Sequence, residues 1–255
     1  MLVNKMSRIM GWLRGWGALV VCFALLTCFS TSSQACYPPI GGLAVTTNLT
    51  IGGTISLSSV VGPNADSVQV GDKLFSNFAL IPTSSPPDLL PSDVVIQSLV
   101  NGDGYGLGFN FKLTASGSTS KDIVLEFSVT VLDPNELISD VHLNFTSAVS
   151  GLGFATVAES IFTNGFGAGL ISTLQVNNPG TPAVFEDTAF FDVPQHKIWI
   201  EKDILVDGNG TSSTTDWAHI SIIDQTISQM QVPEPSTMAL SVVGLAMCLF
   251  VKRRR

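Results

Sequence analysis

This 255-residue sequence predicts an all-β chain, folded as an antiparallel β-sandwich or jelly-roll of about a dozen strands. Three observations lead there. Apolar residues alternate with polar ones at period two over runs of five to nine residues, the spacing of half-buried strands. Clusters of Gly, Pro, Asn and Asp separate the runs. Between the two chain ends, no segment sustains a 3.6-residue apolar repeat. The sandwich is expected between an N-terminal signal peptide (1–35) and a C-terminal segment (232–255) carrying a single transmembrane helix, leaving 36–231 as one secreted domain.

The leader comes first. Lys5, Arg8 and Arg14 supply a positive start, and Gly17 to Phe29 is apolar. Ser33-Gln34-Ala35 then places small residues at the −3 and −1 positions, so cleavage is expected between Ala35 and Cys36. Met6 is an alternative start, because a complete signal follows it. Such a leader implies passage through the Sec translocon. Lipidation of Cys36 is a competing reading, but Ser33 and Gln34 depart from the Leu and small residues that precede a lipidated cysteine.

Cys22 and Cys28 leave with the leader and Cys248 lies in the tail, so the secreted domain keeps at most Cys36. That excludes an intramolecular disulfide despite export, and excludes a cysteine-based zinc site or thiol nucleophile. Stability must come from core burial, for which a domain of this length suffices.

Within the domain the alternation is clearest in three places. Tyr105, Leu107, Phe109, Phe111 and Leu113 alternate with Gly106, Gly108, Asn110 and Lys112. Ile123, Leu125, Phe127, Val129 and Val131 face away from Glu126, Ser128 and Thr130, and Val141, Leu143 and Phe145 stand opposite Asp140, His142 and Asn144. Further strands are expected over Leu43–Ile51, Thr54–Val61, Lys73–Ile81, Val94–Val100, Phe154–Phe162, Gly169–Val176, Ala183–Asp192, Lys197–Val206 and Trp217–Ser228. Asn135-Glu136 is the one candidate helical turn. Pro82 to Pro91 reads as a surface loop, and no linker or internal repeat divides the domain.

Charge is partitioned sharply. Seven of the 12 Lys and Arg lie in the two terminal segments. Residues 37–231 keep five lysines and no arginine against 19 acids, a net charge of −14. A nucleic-acid partner is excluded on this count, since phosphate contacts need a basic face. Divalent cations and neutral polymers, exopolysaccharide among them, remain compatible partners.

No catalytic motif is present. His142, His196 and His219 are too far apart for a local metal motif, and there is no nucleophile elbow, P-loop or dinucleotide fingerprint. The expectation is a non-enzyme with no catalytic residues, no metal site and no cofactor. Calcium is a secondary candidate at Asn101-Gly102-Asp103-Gly104 and Asp207-Gly208-Asn209-Gly210, with Asp203 and Asp216 near the second, although Asn-Gly and Asp-Gly are first of all turn formers. For carbohydrate stacking the candidates are Trp199, Trp217, Tyr37 and Tyr105, and a carbohydrate-binding or hydrolytic protein using Trp199 and Asp207 is the alternative reading.

The last 24 residues are the most informative. Val232-Pro233-Glu234-Pro235-Ser236 is an extended, exposed peptide, because two prolines fix φ and remove donors. Met238 to Val251 is free of charge, and Lys252, Arg253, Arg254 and Arg255 end the chain. Fourteen helical residues span roughly 21 Å, close to a membrane crossing once flanking residues and a snorkelling lysine are added. The positive-inside rule puts the arginines in the cytoplasm.

This tripartite layout resembles the PEP-CTERM sorting signal of Gram-negative bacteria. The resemblance implies that a membrane-embedded exosortase recognises and cleaves the tail, so the precursor sits transiently in the inner membrane before release to the cell surface or extracellular matrix. A permanently anchored protein is the alternative. Gly71-Asp72-Lys73-Leu74-Phe75-Ser76-Asn77-Phe78 also looks like the G-D-K-x-F-x-N-F element of a group of exported PEP-CTERM β-proteins. Trp199–Ile204, Ala218–Ser221 and Gln225–Gln229 resemble the end of the same group. From the residues alone, Leu74, Phe75 and Phe78 are expected in the core, and Asp72 and Lys73 at a solvent-facing strand entry.

Overall fold

A computed structural model of the chain describes residues 46–61, 66–84, 87–102, 104–179, 182–209 and 215–232. The leader, its cleavage position at Ala35 and Cys36, Tyr37, and the tail from Pro233 onward lie outside the described residues.

Among the described residues, thirteen strands form two sheets. Sheet A contains β1 (Thr46–Asn48), β3 (Ser67–Val70), β4 (Lys73–Pro82), β7 (Ser120–Val131), β12 (Lys197–Asp207), β9 (Phe154–Phe162) and β10 (Leu170–Asn178), in that spatial order. Sheet B runs β11 (Glu186–Gln195), β8 (Glu136–Ser150), β13 (Trp217–Gln231), β6 (Gly104–Ser116), β5 (Val95–Asn101) and β2 (Thr54–Ser56). Every pair of strands is antiparallel except β1–β3. The molecule is an all-β, two-sheet sandwich, as the period-two pattern requires.

The expected inward faces are the buried ones. Ile123, Leu125, Phe127, Val129 and Val131 are all buried, as are Val141, Leu143 and Phe145 on β8 and Leu107, Phe109 and Leu113 on β6. Aromatic rings join the sheets: Phe109 of β6 lies 5.4 Å from Phe127 of β7, which also meets Phe75 and Phe78 of β4. Such tilted and offset pairs add to the area they bury.

Three expectations change. Ser67–Val70 is an additional strand, β3, too short to stand out beside the turn at Gly71-Asp72. Thr54–Val61 is strand only to Ser56, after which Leu57–Ser59 turns as a short 3-10 segment capped by the Ser56 hydroxyl. Asn135-Glu136 is not helical: Asp133 accepts from the Asn135 amide at 2.8 Å and β8 begins at Glu136. That is an Asx turn, which satisfies the local amide without a helix.

The largest correction concerns Lys73, which is fully buried rather than solvent-facing. Its ammonium reaches Asp72 Oδ1 at 2.9 Å, donates to Gln229 Oε1 of β13, and lies 5.6 Å from the Tyr105 ring centroid. Lys202 is likewise fully buried, donating to Glu159 of β9 and to Gln225 of β13. Two of the domain's five lysines therefore cross from sheet A to β13 in sheet B. Burial raises the Glu159 carboxyl and lowers the Lys202 ammonium, while their mutual attraction opposes both shifts.

Candidate functional site

β13 carries the chain to its sorting segment. It lies between β8 and β6, paired with β8 along its whole length and with β6 from Trp217 to Ile227. Pairing with β8 runs to its last residue, Gln231, opposite Glu136. The Val232 amide then donates to the Asn135 carbonyl at 2.7 Å. Of the expected sorting residues, Val232 is thus held to the folded domain, whereas Pro233, Glu234, Pro235, Ser236 and the Lys252–Arg255 cluster lie outside the described residues.

Residues 231–255 match a family model described as the PEP-CTERM protein-sorting motif. The tail is a PEP-CTERM motif. It starts on the final residue of β13, so no spacer separates sandwich from signal. The PEP-CTERM motif implies export and exosortase processing at the cell envelope.

The outer face of sheet B holds a second candidate, which sequence reasoning missed. Register places Asp224 of β13 between Asn144 of β8 and Gly108 of β6, and Thr226 between His142 and Gly106. Glu186 and Thr188 of β11 continue those two rows, and Gln97 and Leu99 of β5 close them on the other side. Because Gly106 and Gly108 contribute no side chains, the face sinks there into a groove of about 310 Å³. Glycine is obligatory at 106, where a Cβ would lie 1.9 Å from the Gln225 backbone carbonyl oxygen of β13.

One wall is tightly wired. His142 Nδ1 is 2.9 Å from Thr188 Oγ1, and Nε2 is 2.8 Å from Asp140 Oδ1, an ion-pair separation. Ser139 Oγ donates to Asp140 Oδ2 at 2.8 Å. The imidazole is fixed between a hydroxyl and a carboxylate, and so presents a set orientation to the groove. The floor is different. Among the described residues, the side chains of Asp224, Asn144, Glu186, Asn101 and Thr226 carry no hydrogen bond or ion pair. Burial raises the Asp224 carboxyl above its ordinary range. Two residues beyond Thr188 on the same face, Phe190 is 77% exposed.

The aromatics singled out from sequence lie elsewhere. Trp199 is half-buried on the outer face of sheet A, with Lys197 Nζ 4.6 Å from its ring centroid. Trp217 is half-buried, and Tyr105 packs against Gly71 and Lys73. Of the acids near the proposed calcium turn, Asp203 stands beside Asp122 on sheet A, and Asp216 accepts from the Leu152 amide at 3.2 Å. Among the described residues no group of three or more His, Cys, Asp or Glu side chains is placed to hold a metal ion. His219 is taken up by Thr114 and the Leu113 carbonyl.

No curated protein matches the chain. Among solved structures, the mannan-recognising carbohydrate-binding module TmCBM27 is 15% identical with a TM-score of 0.32, covering 72% of this chain and 98% of its own. TmCBM61, solved with β-1,4-galactotriose, is 12% identical with a TM-score of 0.30, covering 61% and 89%. The glycosylation-associated Gap123 complex of Streptococcus agalactiae gives 10% and 0.28, covering 71% and 27%. Likeness at this level says nothing about ligands.

Proposed function

We propose that this chain is a non-enzymatic exported protein, delivered through its PEP-CTERM tail to the cell surface or extracellular matrix. The precursor crosses by the Sec translocon, rests in the inner membrane by its C-terminal helix, and is cut by an exosortase near Pro233-Glu234-Pro235. The sandwich is the cargo, and the sorting chemistry belongs to the partner enzyme. The observation that supports this reading most is the position of the motif, which begins at the last residue of β13, still paired there with β8.

Mass spectrometry of the surface fraction tests it. The expected mature C-terminus falls between Val232 and Thr237, and replacing Pro233, Glu234 and Pro235 together by alanine should hold the protein in the inner membrane. Recovering peptides through Leu240 to Lys252 from the surface fraction would replace cleavage by a permanent anchor.

A further inference from the structure

We infer that the groove on the outer face of sheet B is a binding site for a neutral, hydroxyl-rich polymer, that is, a polysaccharide segment. A folded domain engages most of its buried polar side chains internally, as this one does at Lys73 and Lys202. In the groove, Thr226, 9% exposed, and half-buried Asp224 have no such internal partner among the described residues, and the exposed side chains of Asn101, Asn144 and Glu186 stand beside them. Asp224 and Glu186 accept hydrogen bonds, Asn101 and Asn144 both donate and accept, and Thr226 does either. That mixture suits hydroxyl groups, each of which is itself donor and acceptor.

Charge narrows the class. No lysine lines the groove, while Asp224, Glu186 and Asp187 do, so anionic ligands are repelled. A metal is not the occupant, given the absence of a ligand cluster among the described residues. An apolar ligand would bury the Asp224 carboxylate without a partner, at a cost no contact there returns. Past the groove's edge at Thr188, on the same strand face, the exposed ring of Phe190 offers apolar surface on which the C–H face of a polymer running out of the groove can lie. The volume of about 310 Å³ is at the lower end for ligand pockets, consistent with one or two sugar units of a longer chain crossing an open groove.

The inference goes beyond the sorting reading and does not depend on it, because binding is measured on purified protein whether or not the tail is processed. The test is affinity electrophoresis of the full-length chain in detergent through gels containing soluble glucan, mannan or galactan, with alginate as the anionic comparison. At least one neutral polymer should retard the protein and alginate should not. Asp224→Ala and Phe190→Ala should each weaken that retardation by at least about tenfold, with unchanged melting temperature, whereas Trp199→Ala on sheet A should not. Asn144→Trp, at an exposed position, should block the groove without touching the core. Absence of retardation by every neutral polymer overturns the inference. So does retardation that survives both Phe190→Ala and Asn144→Trp.

Discussion

Lys73 of β4 donates to Gln229 of β13 across the interior of the sandwich, and four residues earlier on the same strand Gln225 accepts from Lys202 in the same way. The G-D-K-L-F-S-N-F element and the late Gln225–Gln229 segment therefore meet through Lys73 and Gln229, 156 residues apart in sequence. Gly71 makes the turn at φ 59°, Asp72 pairs with Lys73, Phe78 stacks on Phe127 while Phe75 meets it at a tilt, and Asn77 donates to Ser128 Oγ at 2.8 Å. A double-mutant cycle on Lys73→Met and Gln229→Leu should give a coupling of ~0.5–3 kcal/mol by denaturant unfolding. Additive effects would show that the two side chains do not meet.

Lys202 and Glu159 are opposite each other in register and both fully enclosed. Removing one charge strands the other, so Lys202→Met should destabilise the domain by about 3–5 kcal/mol. The triple change Lys202→Met, Glu159→Leu, Gln225→Leu should recover most of that loss, because apolar side chains of similar volume replace a buried ionic set at little net cost. A triple variant no more stable than the single one would contradict this.

Asp203 gives the fold a pH dependence of definite sign. Burial, followed by a shared hydrogen bond and repulsion with Asp122 and repulsion from Glu201, lifts its carboxyl to about 6. The folded chain therefore holds this proton more tightly than the unfolded chain, whose ordinary value is 3.8. Lowering the pH from 7 through 6 toward 4 should stabilise the sandwich through this site, and the gain is absent above about pH 7. Partial exposure screens the effect, so a rise in melting temperature of roughly 1–3 °C is expected. Asp203→Asn should raise stability at pH 7 and flatten the profile, and an unchanged profile would remove Asp203 as its source.

Gly71 is required twice over. Its φ of 59° disfavours any side chain, and an added Cβ would sit 2.6 Å from Tyr105 Cζ. Gly71→Ala should cost at least ~1 kcal/mol from the backbone alone, with more from the ring. Introducing it into a Tyr105→Ala background should cost less than in the wild type, since only the backbone part remains. Equal costs in both backgrounds would show that the ring yields freely.

The strands and their inward faces were readable because burial on one face of a sheet writes period two directly into the sequence, as in Ile123 to Val131. The tail was readable because an extended Pro-Glu-Pro, an apolar stretch and a basic cluster have meaning in that order alone. Lys73 and Lys202 were not, because a lysine within an alternating strand is indistinguishable from a solvent-facing one until its partners on a distant strand are known. Attention to tryptophan and tyrosine overlooked Phe190, whose exposure depends on β11 being an edge strand. The groove did leave a trace: Gly104, Gly106 and Gly108 repeat at period two, which on a single strand empties one face of side chains.

β13 is the last strand to be synthesised and the one that separates β8 from β6. Until it arrives sheet B has no middle, and Gln225 and Gln229 are missing from both lysine clusters. Completion of the domain and emergence of its delivery label are thus the same event in the life of the chain. A ribosome that stops early releases a product lacking both its keystone and its destination. Such a product still carries its N-terminal leader, so only the sorting step at the envelope would tell it from a finished molecule.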